Sequence, residues 1–600
     1  MSAKRITLST IPWLDSFASF IALSASFLSL ISTNYSKNAI KSQSAANSQY
    51  QDIKPFSDYK APSAYPSDSF TDKSIIYTQK KSNNLVEFTL NSKPELPPNP
   101  QISVSLVPNT WSGKRKAELQ NESAEYRYMV ETLADRQEYL DYNLEYFADL
   151  SKVFYEIDSL ANPRFMHQED VYVVGRIVDG NLSSYFAENF TFNSKPPPKF
   201  DSSCVELATT KRLGSGSNIP LAIKSTSKFS LFPGQIVLAK GKNLTGNEFI
   251  VEEFLKLPRL PRPRFETSDF VTSVSGYKMF VASGPYTTVD NFKYLPLQDL
   301  AKEIIAKKPS VVVLMGPFVS AAQIQSHLLS LEMTPEDIFI NVVSPILENI
   351  IRSCPSTELY LQPSLDDICF PYVVYPQPVP SETTKKELRI PSKAQFIPNP
   401  AQILINGKVC CFSSIDSILG LSATEINSGN YENSRLERLV SHMLEQRSFY
   451  PAENLNNVPL SYTILATESQ KVCKLSEIKQ VVGTDQNEKY IKQETIDTSK
   501  VYDTLDSNED SFLNLDYETT PINLVYQPHV LVVASQLKPL AWNLYQDNSL
   551  PVSQNSVFIN PGKLSIGVVG GTFAKVHVPP PSTSAIAHPK DDTFVEIVRL

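Results

Sequence analysis

Histidine and cysteine are scarce in this chain, six of each among 600 residues. The histidines are His167, His327, His442, His529, His577 and His588; the cysteines are Cys204, Cys354, Cys369, Cys410, Cys411 and Cys473. No two cysteines stand in a C-x-x-C pair, and the adjacent Cys410 and Cys411 cannot easily close an unstrained disulfide. A zinc module and a secreted disulfide framework are therefore not indicated, and a reducing compartment fits. Positive charge is not in excess: 55 Lys+Arg against 63 Asp+Glu give -8, so the chain as a whole has no electrostatic reason to coat a duplex. No phosphate-binding Gly-x-x-x-x-Gly-Lys-Ser/Thr loop occurs, and Gly316-Pro317 and Gly570-Gly571 read instead as tight turns. A membrane span is not expected either, because the apolar stretch Met1 to Ile31 is studded with serine and barely reaches the ~20 residues required. Pro12 and Asp15 within it argue against an export signal, leaving a short amphipathic helix or a misplaced start codon.

What is present is length, roughly four domains' worth of chain. Residues 1–35 read as a short apolar segment, in which a truncated helical domain would fit, and residues 36–123 as a disordered linker rich in Ser, Asn, Lys, Tyr and Pro. In 124–160 the positions Met129, Leu133, Leu140, Leu144, Phe147 and Leu150 make the stripe of an amphipathic helix. In 161–265, strands are expected at Val171 to Ile177, Leu221 to Ile223, Gln235 to Lys240 and Phe249 to Leu255, with turns at Pro233-Gly234 and between Gly241 and Gly246. Short strands at that density suit a small barrel, of which the oligonucleotide/oligosaccharide-binding (OB) type is one. Strand aromatics are few, so protein docking is at least as well served by it as nucleic acid.

Residues 266–600 change character. A strand at Met279 to Ser283, a helix at Leu297 to Lys307, a fully apolar strand at Val311 to Met315 and a helix at Val319 to Leu331 predict a βαβ unit in a covered sheet. Further strands are expected at Ile338 to Val343, Leu359 to Leu361, Ile403 to Ile405, Val409 to Phe412, Val530 to Ala534, Val557 to Ile559 and Ala574 to Val578, making an α/β sandwich. The pattern fades over residues 463–523, where Asp485 to Glu518 holds ten acids against three lysines, the composition of an exposed insertion.

The loop after the first strand carries Ser283-Gly284-Pro285-Tyr286-Thr287 and the loop after the second Gly316-Pro317-Phe318; with them go Pro363-Ser364-Leu365-Asp366-Asp367, Asn406-Gly407, Gln446-Arg447-Ser448-Phe449-Tyr450-Pro451, Ile559-Asn560-Pro561-Gly562-Lys563-Leu564 and Gly570-Gly571-Thr572-Phe573. From about Ala124 to the C-terminus the chain resembles, in order, the B-subunit family of DNA polymerase alpha–primase. B subunits of polymerases delta and epsilon share the architecture, but the Gly-Pro-Tyr-Thr-Thr and Gly-Gly-Thr-Phe strings point to alpha.

The resemblance implies an α/β protein with a β-barrel: an OB-fold domain joined to a calcineurin-like phosphodiesterase-type α/β sandwich whose metal site is lost. Two-metal phosphoesterases need carboxylates and imidazoles at strand ends, to hold two ions ~4 Å apart. Here the first station is Ser283-Gly284-Pro285, the second has Pro317 and Ser320 after Gly316, and the third has Ser364, Asp366 and Asp367 without histidine. The strand that would deliver a lone histidine ends at Ser535, and no Gly-His-x-His exists. No cofactor and no catalytic residue are expected, and an acidic pair such as Asp366 and Asp367 more often caps a helix or faces solvent.

The implied function is a non-catalytic accessory subunit of a nuclear polymerase complex. Its implied partners are the C-terminal zinc-bearing domain of the polymerase alpha catalytic subunit and, through the complex, primase, with DNA touched indirectly or weakly and no membrane. The rival is an active metal-dependent phosphoesterase. Two departures from the family stand out: Met1 to Ser36 is short for its N-terminal helical domain, and residues 36–100 contain no Ser-Pro or Thr-Pro dipeptide for a cell-cycle kinase.

Overall fold

The computed structural model describes residues 84–94, 104–106, 132–181, 199–214, 216–223, 228–258, 275–327, 333–429, 434–451, 527–544, 556–579 and 593–600, with a few isolated positions such as 77, 460 and 524. The apolar N-terminal segment and the acidic run at 485–518 lie outside the described residues.

Helix α1 (Leu133–Tyr155) precedes the barrel. Of its apolar stripe, Leu144, Phe147 and Leu150 are buried, whereas Leu133 is 87% exposed. Position 129 lies outside the described residues. The buried side packs on Val174, Ile236 and Leu238 of the barrel wall. Arg176 donates to Leu140 O, and Asp149 pairs with Arg212 at 3.2 Å, so the helix is tied at two levels.

The barrel comprises β3 (His167–Asp179), β4 (Val205–Ala208), β5 (Ile219–Ile223), β7 (Ile236–Asn243) and β8 (Phe249–Leu255), closed in the order β3-β4-β5-β8-β7. β5 and β8 run parallel and the other neighbours antiparallel, which is the connectivity of an OB fold. Val173, Ile177, Leu207, Ala239, Phe249 and Val251 fill it at alternate positions, as a closed barrel requires.

Two sheets form the larger part. The first has the order β1-β22-β21-β9-β10-β11-β12, with β1 (Leu85–Leu90), β9 (Tyr277–Ser283), β10 (Val311–Met315), β11 (Glu358–Gln362), β12 (Gln395–Phe396), β21 (Thr572–Val578) and β22 (Phe594–Arg599). The second has the order β17-β18-β16-β14-β13-β2, with β2 (Val104–Leu106), β13 (Ala401–Ile405), β14 (Lys408–Ser413), β16 (Val530–Val533), β17 (Leu540–Leu544) and β18 (Ser556–Asn560). Residues of alternating parity explain the layers. Met279, Val281 and Val313 meet Ile403, Phe412, Val532 and Ile559 between the sheets. Phe280, Val312 and Leu361 face outward onto α2 (Leu295–Lys307) and α3 (Ser344–Ser353). Cys411, Leu531 and Phe558 face the opposite way onto α4 (Ser417–Thr424) and α5 (Arg435–Glu445). Strands buried on both faces read as continuous apolar runs, which is why β10 is entirely aliphatic. β13 and β14 are joined by Asn406-Gly407, both at positive φ (45° and 74°), the backbone a two-residue hairpin needs.

Two expectations are corrected. Residues 338–343 are not a strand: a helical turn at Pro335–Ile338 passes through a π turn at Phe339–Val343 into α3. A short apolar run has no helix-versus-strand signature of its own. The overlooked signal was Thr334-Pro-Glu-Asp337, a capping box whose hydroxyl and carboxylate exchange hydrogen bonds with the backbone of Asp337 and Thr334. The linker 36–123 is likewise not disordered throughout. β1 pairs with β22 and β2 with β13, so this segment supplies one outer strand to each sheet, and Tyr77 is buried with its hydroxyl on Asp299 at 3.0 Å. These strands are too short to register as periodic in a Ser- and Lys-rich background; only the sheet edges they cover give them a partner. A chain starting at residue 107 should therefore melt several degrees below the full chain in a thermal scan, since it uncovers both edges and removes Phe88 and Leu90 from the core between the sheets.

Candidate functional site

Because β9, β10 and β11 run parallel, their C-terminal ends and the loops that follow lie together. Gly284 N donates to Met315 O and Gly316 N to Gln362 O, each at 2.9 Å. A Cβ on Gly284 would stand 2.0 Å from Pro317 O, and one on Gly316 2.2 Å from the Asp367 carboxylate, so neither position accepts a side chain. The Gly284–Pro285 and Gly316–Pro317 bonds are cis. Ser283 reaches only Gly284 O, at 3.5 Å. Tyr286 places its hydroxyl on Ala282 O and Met315 O and stacks on Phe318 with ring centroids 5.2 Å apart, while Thr287 donates to Asn291 O at 2.9 Å.

Asp367 is the hub. Its side chain accepts from Phe318 N, from Val319 N at 3.0 Å and from Ser364 N at 3.2 Å, and Ser320 bridges to it through the backbone. Burial pushes its carboxyl up to about 8, against the lowering effect of those three N–H groups. Asp366, one residue earlier, is exposed.

The other strand ends are knitted to this hub. Ser535 N and Gly562 N both donate to Asn560 Oδ1, and Asn560 Nδ2 donates to Leu537 O at 3.1 Å. Thr572 donates to Pro561 O at 2.7 Å; Gly571 N reaches Leu564 O, and Leu564 N reaches Ser283 O, both at 2.8 Å. Between these bonds the chain makes a small antiparallel pair, β19 (Ser565–Ile566) with β20 (Val569–Gly570). Gly570 and Phe573 are buried beside them, Phe573 against Phe280. The loops after β9, β10, β11, β16 and β18 and the start of β21 thus meet on one face, whereas Asn406 reaches Ser275 O at the opposite end of β9.

Two charged residues on that face, Asp416 and Lys563, were given no role in the sequence. Asp416 caps α4 through Leu419 N at 3.0 Å and also accepts from Gln536 N at 2.7 Å. Burial raises its pKa, opposed by those bonds and by Lys563. Lys563 has its own pKa lowered by burial and supported by Asp366 and Asp416. Asp416 was legible as an N-cap and Lys563 as part of the string after β18, but that they act on one another required the fold.

Two of the histidines lie at the opposite strand ends. His577 pairs with Lys278 at the far end of β9, and burial followed by Lys93, Lys278 and Lys575 brings it down to about 4. His529 precedes β16, also at the far end, and accepts from Val409 N at 3.0 Å. Among the described residues, no group of three or more His, Cys, Asp or Glu is arranged to hold a metal ion.

A second constellation locks the barrel to the sandwich. Gln446, just past α5, uses both ends of its amide on one barrel residue: Ile236 N donates to it at 2.8 Å and it donates to Ile236 O at 2.9 Å. Arg447, at φ 53°, turns the chain and spans Tyr146 of α1 and Pro258 O. β6 (Phe229–Leu231) pairs with β15 (Ile426–Ser428), a strand joining barrel to sandwich. Beside it the fully buried Glu425 receives Arg438 at 2.6 and 3.1 Å and the Ser230 hydroxyl at 2.5 Å, with His442 close by. Burial works against its charge, but the bonds from His442, Arg438 and Ser230 hold the carboxyl down at about 2.

Comparison with known proteins follows the same division. Residues 137–257, α1 and the barrel, match the family described as the OB domain of the DNA polymerase alpha B subunit. Residues 279–541 match the family described as the DNA polymerase alpha/epsilon B subunit. The chain is 29% identical over 468 residues to the DNA polymerase alpha B subunit of Schizosaccharomyces pombe, covering 76% of this chain and 68% of that protein. It is 27% identical to the protein of that name from Rattus norvegicus (76% of this chain, 62% of the relative) and 26% identical to that of Saccharomyces cerevisiae (76% and 60%). The chain thus spans about two thirds of these relatives' length.

Two variants test the geometry. Arg438→Ala leaves Glu425 buried and short of its main partner, so stability in chemical denaturation should fall by ~3 kcal/mol. For Asp367 the folded pKa of about 8 lies above the ordinary value of 3.8. Folding then takes up a proton between the two, so its contribution is full below about pH 4 and lost as pH rises through about 8. Asp367→Asn should flatten that decline in stability measured against pH.

Proposed function

We propose, from the premise that the chain belongs to the family of DNA polymerase alpha B subunits, that it is a non-catalytic accessory subunit whose barrel and sandwich form one docking platform. The similarity supports an accessory role in DNA replication. The finer reading is that the platform receives the C-terminal zinc-bearing domain of the polymerase alpha catalytic subunit in the nucleus and joins it to primase for primer synthesis. The two sheets with helices on both outer faces suit a calcineurin-like origin for the sandwich.

One observation carries the non-catalytic part: the most buried carboxylate at the strand ends, Asp367, spends its oxygens on three backbone N–H groups. A metal ligand needs free lone pairs directed into a cavity, with an orienting partner behind it. Pro285, Pro317, Ser283 and Ser535 offer no replacement, and the charge of Lys563 acts favourably on Asp416. A rigid face with no hydrolytic machinery is suited to recognition.

The rival phosphoesterase makes an opposite forecast. Purified full chain with Mn²⁺ should leave bis(p-nitrophenyl) phosphate intact; hydrolysis that disappears in Asp366→Ala would defeat the proposal. Affinity purification from native cells should bring down a polymerase catalytic subunit and primase, and recovery of neither would defeat the complex assignment.

A further inference from the structure

At the end of the barrel away from the clasp, three large apolar side chains stand in solvent: Phe165 at 63%, Met166 at 71% and Leu244 at 51% exposure. Single exposed apolar residues need no explanation, but these are contiguous and held in place. Phe165 and Met166 lie in the turn that enters β3, and Leu244 in the loop between β7 and β8. Asn243, fully buried, fastens the two: its amide donates to Pro163 O at 2.8 Å, and its carbonyl accepts from Thr245 N at 3.2 Å and Gly246 N at 2.6 Å. The facing turn is closed by Phe165 N on Asn162 O at 3.2 Å and Arg164 N on Asn162 Oδ1 at 3.0 Å. A Cβ at Gly246 would sit 3.8 Å from Met166 Cγ, so the two loops touch. The cluster is therefore presented by fixed backbone, which lowers the ordering cost of any binding event.

In OB barrels, the loop between the fourth and fifth strands borders the ligand face, and here that loop is the one carrying Leu244. Its surroundings identify the ligand class. Glu169, Asp170 and Glu248 are exposed on the bulge of β3 and the β7–β8 loop, against Arg164 as the one fully exposed cation of the two segments. Lys242, the nearest lysine on β7, is engaged with Glu252 at 3.9 Å. Nucleic-acid grooves have the reverse balance, cations around aromatics, because phosphates must be neutralised. An apolar knob with an acidic rim is instead complementary to a helix with one apolar face and lysine or arginine along its flanks.

We propose that Phe165, Met166 and Leu244, rimmed by Glu169, Asp170 and Glu248, form a docking surface for a basic amphipathic helix of a partner protein. The surface is separate from the strand-end face and the barrel–sandwich clasp, and the proposal stands whether or not a polymerase catalytic subunit is that partner.

The test uses the full chain and three fluorescent probes: a lysine–leucine peptide of about five helical turns with helical spacing of the leucines, the same residues scrambled, and oligo-dT of about 20 nucleotides. The ordered peptide should bind more tightly than the scramble. Phe165→Ser/Leu244→Ser and, separately, Glu169→Lys/Asp170→Lys should each weaken it about tenfold or more, with thermal melting unchanged because all four positions are exposed. Absence of ordered-peptide binding, binding no tighter than the scramble, or binding indifferent to both double variants overturns the proposal. So does oligo-dT emerging as the probe that Phe165→Ser/Leu244→Ser abolishes, since the surface would then serve single strands.

Discussion

The grip of Gln446 on Ile236 is the interaction on which the rest of the architecture depends. A side-chain amide that both accepts from and donates to one strand residue behaves as a fragment of neighbouring strand, and it is made between two domains. Arg447 continues it onto α1, and the Glu425 cluster repeats it on the adjoining barrel edge, so barrel, helix and sandwich share one hydrogen-bonded seam. Interfaces between domains of one chain usually permit relative motion. This seam opposes it, because separating the domains would break the Gln446–Ile236 bonds, the β6–β15 pairing and the Ser230 bonds to Glu425 and His442 together. Rigid placement of two domains is what a platform needs.

The strand-end face is held by close approaches of backbone and by one buried carboxylate. Loops after β9, β10 and β11 approach within van der Waals limits, which Gly284 and Gly316 alone allow. Asp367 fills the space between them with hydrogen bonds to main chain, and Lys563 stands where its charge is shared with Asp366 and Asp416. The turns are further held by Asn560, which joins Ser535 N, Gly562 N and Leu537 O.

Much of this was readable in advance, for identifiable reasons. β10 and β14 announced themselves because strands covered on both faces must be apolar throughout. The barrel was visible through turn residues, and the strings around Ser283, Gly316 and Asp367 lie together because each follows a parallel strand of one sheet. The capped helical turn at Thr334 was hidden by apolar residues that suit either structure, and β1 and β2 by brevity in a polar segment.

Composition and motif order by themselves determined that the chain is an α/β protein with a small barrel, that it lacks histidines and cysteines in metal-ligand spacing, and that its acidic charge concentrates in 485–518. These properties depend on residue type and local period. The tertiary structure alone decided that Asp367 faces backbone donors, that Lys563 acts electrostatically on carboxylates 147 and 197 positions away, and that Gln446 reaches a strand 210 residues earlier. Each is a long-range juxtaposition, set by how the sheets and barrel pack, and no local spacing encodes it.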